Sequence, residues 1–226
     1  MANANSAGFG FQSVMTLGNT PSTQGLSEYP IKSGTAKRFN QNDPCSKQGT
    51  AGDDGYLQDA AHTTMADTKT GGQGWANNTA AIEAIAGVFN GAFYVNSTTS
   101  KPTWANTIVE STTFGTDYNT GSSDGVGFVN DNPMQEYVCK ADDALGVALM
   151  LPSLTYNCEN GGTTAKQTSG QSTIKLDVSA TAAAGANQMM FQVVRSANDP
   201  ENKDLTVADA NVIVRFAPGS IMSNKF

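Results

Sequence analysis

Apolar positions in the second half of the chain fall into short runs separated by polar turns. VGFVN (126–130), QEYVCKA (135–141), GVALMLP (146–152), TIKLDVS (173–179), QMMFQVVRS (188–196) and NVIVRF (211–216) have the length and the β-branched or aromatic content of strands, with Gly-, Asn- or Asp-rich residues between them. In TIKLDVS, Ile174, Leu176 and Val178 share one face while Lys175, Asp177 and Ser179 share the other. One dry and one wet face is what antiparallel sandwiches and barrels require. Strands do not alternate with helix-length segments, which argues against a parallel, doubly wound sheet.

The first half is less regular. Residues 1–28 are small and polar, with Phe9, Phe11, Val14, Met15 and Leu17 spaced among them. They read as an extended N-terminal arm whose apolar side chains must find a surface, on the body of the same chain or on a neighbour. Residues 29–226 read as a single β-rich domain. Within it AKRFN (36–40) is a short strand candidate, Gln41-Asn42-Asp43-Pro44 a turn, and QGTAGDDG (48–55) a loop. Asn78 or Thr79 is placed to cap a short helix that runs through Ala86 and ends at Gly87, the one helix expected. Residues 93–125 alternate short apolar pieces with Thr, Ser, Asn and Gly, and read as one or two strands inside a long excursion.

Composition narrows the function classes. Charged residues are 15% of the chain, below the roughly 25% of ordinary globular proteins, so its polarity comes from Thr, Ser, Asn, Gln and Gly. Such residues suit strands joined by long turns. Thirteen basic against twenty acidic residues give a net charge of −7, and no basic cluster exceeds Lys37–Arg38, which disfavours nucleic-acid binding. No apolar run approaches the roughly 18–20 residues of a membrane-spanning helix. Residues 1–19 have neither a cationic start nor a continuous apolar stretch, so they do not read as a secretory signal. Cys45, Cys139 and Cys158 have no zinc-ligand spacing; Cys139 and Cys158 pair only if their strands are neighbours, and three free thiols is the plainer reading.

Candidate chemistry is sparse. Gly121-Ser122-Ser123-Asp124-Gly125 matches a nucleophile elbow, but that chemistry needs a strand before the turn, a helix after it and a later histidine. Here a strand follows, and the sole histidine, His62, lies upstream. Asp53, Asp54, Asp59 and Asp67 gather around His62, and on a helix Asp59 and His62 would face one cation; the alternative is a solvated polar segment. The acidic stretch 197–210 invites a calcium-loop reading starting at Asp199, yet Lys203 falls among the ligand positions, so it reads as a hairpin connection. Gly71-Gly72-Gln73-Gly74 lacks the Lys-Ser/Thr of a phosphate loop. Trp75, Trp104 and Tyr118 have the ring faces to stack on sugars, although packing is the commoner use of such residues. No catalytic constellation, metal site or cofactor is expected.

One series of turn signatures runs along the chain: the leader MANANSAGFGFQSVM, the Asn42-Asp43-Pro44 turn and the run Gly87-Val88-Phe89-Asn90-Gly91. Asp131-Asn132-Pro133 before a strand, Ser169-Gly170-Gln171-Ser172, the Asn-Asp-Pro-Glu-Asn loop at 198–202 and the final strand at 211–216 complete it. In its order this series resembles that of capsid decoration, or cement, proteins of tailed bacteriophages. The chain departs from that family in the length between Tyr94 and Gly125 and in its cysteines. The resemblance implies an antiparallel β-barrel or tulip-like sandwich, non-enzymatic, made in the bacterial host cytoplasm and carried on the outer capsid surface of the virion. It implies a homotrimer with the major capsid protein as partner. On that basis Phe9, Phe11, Met15 and Leu17 are the expected assembly interface, and removal of residues 1–20 should leave the body folded. The alternative is a phage fibre or receptor-binding module that contacts host glycans through exposed aromatics such as Trp104.

Overall fold

The computed structural model describes residues 3–17, 20–21, 25–35, 38–47, 55–59, 85–146, 150, 154–159, 170–183 and 190–217. The fold is mainly β, and all paired strands run antiparallel. The larger sheet is built from β1 (Gln12–Thr16), β2 (Thr20–Pro21), β11 (Gln135–Lys140), β12 (Leu154–Glu159), β13 (Lys175–Ala183), β14 (Phe191–Ser196) and β15 (Asn211–Phe216), in the order β13-β12-β14-β15-β11-β1-β2. The smaller is built from β3 (Ser27–Ile31), β5 (Pro44–Lys47), β6 (Leu57–Asp59), β7 (Ile85–Val95) and β10 (Gly125–Asn130), in the order β3-β10-β7-β5-β6. β8 (Pro102–Ala105) pairs with the far half of β7, and β4 (Phe39–Asn40) pairs with β9 (Thr107–Ile108). β8 and β9 are the strands of the 93–125 excursion.

Each sheet has its own core. Tyr137, Tyr156, Phe191, Phe216 and Leu176 are fully or almost fully buried in the first, and Ile31, Phe39, Phe89, Ile108 and Val129 in the second. β7 serves both: Ile85 and Val88 belong to the larger core, while Ala86, Phe89 and Ala92 belong to the smaller. This overturns the expected end of the helix. A strand buried on both faces loses the period-2 signal, so AIAGVF passes for a helix end. Gly87 does not terminate a helix; it lets β7 approach β10, since a Cβ there would lie 2.2 Å from the Asn130 carbonyl oxygen. Residues 78–84 of that expected helix lie outside the described residues.

The strands expected at 126–130, 135–141, 173–179, 188–196 and 211–216 are present as β10, β11, β13, β14 and β15 with shifted ends. The candidate at 146–152 fares differently: Gly146 sits in a turn with φ 61°, and its remaining residues, apart from Met150, lie outside the described residues. β12 follows instead. Its Thr155 and Glu159 are buried polar residues that blur the apolar pattern.

The N-terminal segment docks on its own chain. Phe11 is fully buried and its ring stacks on Phe191 with centroids 4.1 Å apart. β1 then runs beside β11, with Val14 as the extra residue of a bulge. Upstream, the connection between β14 and β15 cradles the chain. Asn3 Nδ2 donates to the carbonyls of Asp204 and Ala208, at 3.1 and 2.7 Å. The Ala4 amide donates to the Glu201 carbonyl at 3.2 Å, and the Asn5 amide to Asn202 Oδ1 at 3.1 Å. Lys140 Nζ, buried on β11, donates to the Asn5 carbonyl at 2.6 Å. The acidic 197–210 stretch is thus the hairpin connection its Lys203 implies, and what it holds is the N-terminus.

Candidate interaction site

Of the four residues expected at an assembly interface, the structure leaves one exposed, Leu17, buries Phe11, and partly buries Phe9 and Met15. Phe11 is corrected: a ring buried against Phe191 presents nothing to a neighbour, because stacking within the large core offers it more contact than an exposed arm would. Loss of residues 1–20 would remove this ring and β1 together, so the body would not stay intact. Phe9 is partly buried, with Lys140 Nζ 5.9 Å from its ring centroid. Met15 lies in β1 and Leu17 in the turn that follows it. Met15 faces Glu136 across the ladder, and its sulfur accepts from Arg195 Nη2 at 3.3 Å. The Leu17 amide donates to the Met134 carbonyl at 2.8 Å, and the two side chains are 49% and 54% exposed.

A second surface lies on the outward face of the smaller sheet. The registers of β3, β10, β7 and β8 align Pro30, Val126, Phe93 and Trp104 in one row across four strands. Phe93 and Trp104 are 43% and 48% exposed. The Trp104 indole N–H donates to Asn106 Oδ1 at 2.9 Å, and the ring meets Phe128 at 5.1 Å between centroids. Beneath the ring sits Gly91, where a Cβ would be 2.4 Å from Trp104 Cζ2. A glycine is needed there for the indole to lie flat on the strand.

The same face descends into a cleft of about 190 Å³ at the seam between the two sheets. Its polar lining is the carboxamides of Gln12, Gln41, Asn42, Asn90 and Asn130 with the Ser13 hydroxyl, and among the described residues no ionisable side chain lines it. Asn90 is the bulged residue of β7, where Val129 pairs with Phe89 and Phe128 with Gly91. Gln41 Nε2 donates to Asn90 Oδ1 at 3.2 Å, and Asn130 Nδ2 to Ser13 Oγ at 3.1 Å. Sequence reasoning singled out Trp104 but not this cleft, whose residues come from segments far apart in the chain.

The remaining candidates are structural. Ser122 of the elbow-like sequence sits in a turn after Gly121 at φ 69°; its hydroxyl accepts from the Asp124 amide at 3.1 Å. The Asp124 carboxylate in turn accepts from the Tyr56 hydroxyl at 2.7 Å and the Ser33 amide at 3.2 Å. Asp59 falls in a strand, so helical spacing does not carry it toward His62; Asp53, Asp54, His62, Asp67 and Trp75 lie outside the described residues. Among the described residues no group of three His, Cys, Asp or Glu side chains is placed to share a metal ion. Cys45, Cys139 and Cys158 are buried and outside any disulfide, and burial holds the Cys139 thiol well above the usual range. Their strands explain the lack of a bridge, since β14 and β15 stand between β12 and β11. Tyr118 is fully exposed. No protein-family model, curated protein or solved structure matches the chain.

Proposed function

We propose that this chain is a non-enzymatic structural protein of a phage virion, bound to the outside of the capsid as a decoration protein that stabilises the shell. The observation that carries the reading is the exposure of two large apolar side chains, Leu17 and Met134, whose backbones are hydrogen-bonded just beyond the ends of β1 and β11. Large apolar side chains left exposed near one another along the chain's backbone pairing mark a contact surface. The charge-poor, turn-rich composition and the order of turn signatures shared with phage decoration proteins support the same reading. Each copy adds a modest interface, and a homo-oligomer, a trimer by that resemblance, multiplies it through effective concentration. The major capsid protein is the partner this requires.

Two measurements test it. Quantitative mass spectrometry of purified virions should give a copy number near that of the major capsid protein; a few per cent of it would indicate a fibre or vertex part, and absence would end the reading. Separately, a Leu17→Asp/Met134→Asp variant should stay folded, because both side chains are exposed, and should no longer sediment with undecorated shells. Undiminished sedimentation would remove the patch from the interface.

A further inference from the structure

We infer that the outward face of the smaller sheet is a binding site for a neutral oligosaccharide, with one sugar residue seated in the carboxamide cleft and the next lying on Trp104 and Phe128. The inference does not depend on whether the chain sits in the shell layer or in a fibre.

The two halves of the site belong to one surface. Along β10, Phe128 and Asn130 are two residues apart and therefore on the same side of the sheet, opposite Gly127 and Val129, which turn inward. Two residues of strand span about 7 Å, a step that one sugar residue covers. Along β7 the connection is closer still, because Asn90 lines the cleft while its neighbour Gly91 carries the Trp104 ring.

Chemistry selects the ligand class. A pyranose presents an apolar face of C–H groups and an equatorial rim of hydroxyls. The first is matched by an aromatic ring held in a fixed orientation, as Trp104 is by Asn106 and Phe128. The second is matched by carboxamides, each of which both donates and accepts. Several of those valences stay open: among the described residues, no hydrogen bond uses Asn90 Nδ2, Gln41 Oε1 or the side-chain polar atoms of Gln12. The cleft is smaller than the ~300–1,000 Å³ typical of drug-sized ligands, as a single sugar residue requires. An anionic ligand fits poorly, since the cleft supplies no cation and Glu28 stands exposed opposite Phe128 on β3. A cationic ligand would meet no carboxylate inside the cleft.

The test is a glycan array of neutral and acidic oligosaccharides on the purified full chain, with titration calorimetry on the strongest hits. Neutral glycans should bind, and Trp104→Ala and Asn90→Ala should each weaken binding about tenfold or more. Tyr118→Ala, which removes an exposed aromatic far along the excursion, should leave affinity unchanged. Far-ultraviolet circular dichroism on each variant establishes that it is folded. Binding restricted to sialylated or phosphorylated glycans, equal losses with Tyr118→Ala, or no binding at millimolar glycan by folded protein would each overturn the proposal. None of these outcomes touches copy number on the virion, so the decoration reading stands or falls separately.

Discussion

The two sheets present outward faces of opposite character. On the larger one, register aligns Gln192, Arg215, Glu136 and Met15 across four strands. Arg215 Nε and Nη2 donate to Gln192 Oε1 at 2.9 and 2.8 Å, and Arg195 Nη1 donates to Glu136 Oε2 at 2.8 Å. The equivalent row on the smaller sheet is Pro30, Val126, Phe93 and Trp104. The first row is polar although Gln192 and Glu136 are buried, and its groups satisfy one another. The second row is apolar and leaves Phe93 and Trp104 about half exposed. What the contrast teaches is that one face satisfies its polar groups internally, whereas the other keeps large apolar surface exposed.

The largest effect expected from this contrast is in stability. Phe11→Ala would leave a cavity beside Phe191 and loosen β1, which carries Met15 and leads into Leu17; such truncations cost about 3–5 kcal/mol. Trp104→Ala, on the exposed row, should cost under about 1 kcal/mol. Urea denaturation at constant slope measures both. Comparable losses would mean that the aromatic row is a packed part of the core, and the contrast would collapse.

Next comes the polar network. Glu136 is 6% exposed at its side chain, while its partner Arg195 is 40% exposed. Glu136→Ala should therefore cost about 1–2 kcal/mol, the loss of a charged hydrogen bond from a buried acceptor. A double-mutant cycle with Arg195→Ala should show coupling of at least about 0.5 kcal/mol. Zero coupling would mean that the Arg195 contact adds nothing to the stability Glu136 contributes. By comparison the Arg38–Glu110 pair, 2.7 Å apart but with Glu110 half exposed, should contribute almost nothing.

Gly91→Ala sharpens the comparison on the other side. The new methyl would collide with the indole, and because Trp104 is half exposed the ring can swing away at a stability cost of about 1 kcal/mol. Trp104 emission should shift toward that of a fully solvated indole. An unmoved spectrum would show that the ring is not seated on Gly91.

How much of this was legible beforehand depends on which face a residue serves. TIKLDVS and NVIVRF have one apolar side or a continuous apolar run, and both emerge as strands. β7 was hidden because its alternate residues feed two different cores, which erases the alternation that marks a strand. Phe11 was hidden for another reason. Gly8 and Gly10 let the arm press against Thr173 and Asn42, where a Cβ would lie 2.2 and 2.4 Å from their carbonyl oxygens, and such closeness leaves no periodic trace. Trp104 could be noticed as an aromatic in a polar excursion. The cleft could not, because Gln12, Gln41, Asn90 and Asn130 converge only through sheet register.

The smallest expected effect lies at the end of the larger sheet, where Asp142 accepts a hydrogen bond from the Val178 amide at 2.8 Å. Burial holds its carboxyl above the ordinary range against the lowering effect of that bond, and Asp177 and Asp143 add repulsion. A carboxyl with a raised folded pKa binds its proton more tightly in the folded state than in the unfolded one. Its favourable contribution is complete below the unfolded value of about 3.9 and is lost as pH rises through the folded value. At neutral pH the ionised group is therefore a net burden. Asp142→Asn keeps an acceptor for Val178 and removes the charge. It should stabilise the protein by under about 1 kcal/mol at pH 7, solvent screening included, with the gain shrinking as pH falls toward 4. Thermal melts of parent and variant across that range decide it. A variant less stable than its parent at pH 7 would mean that the charged hydrogen bond to Val178 outweighs the cost of burying Asp142, and that the larger sheet is compensated to its very end.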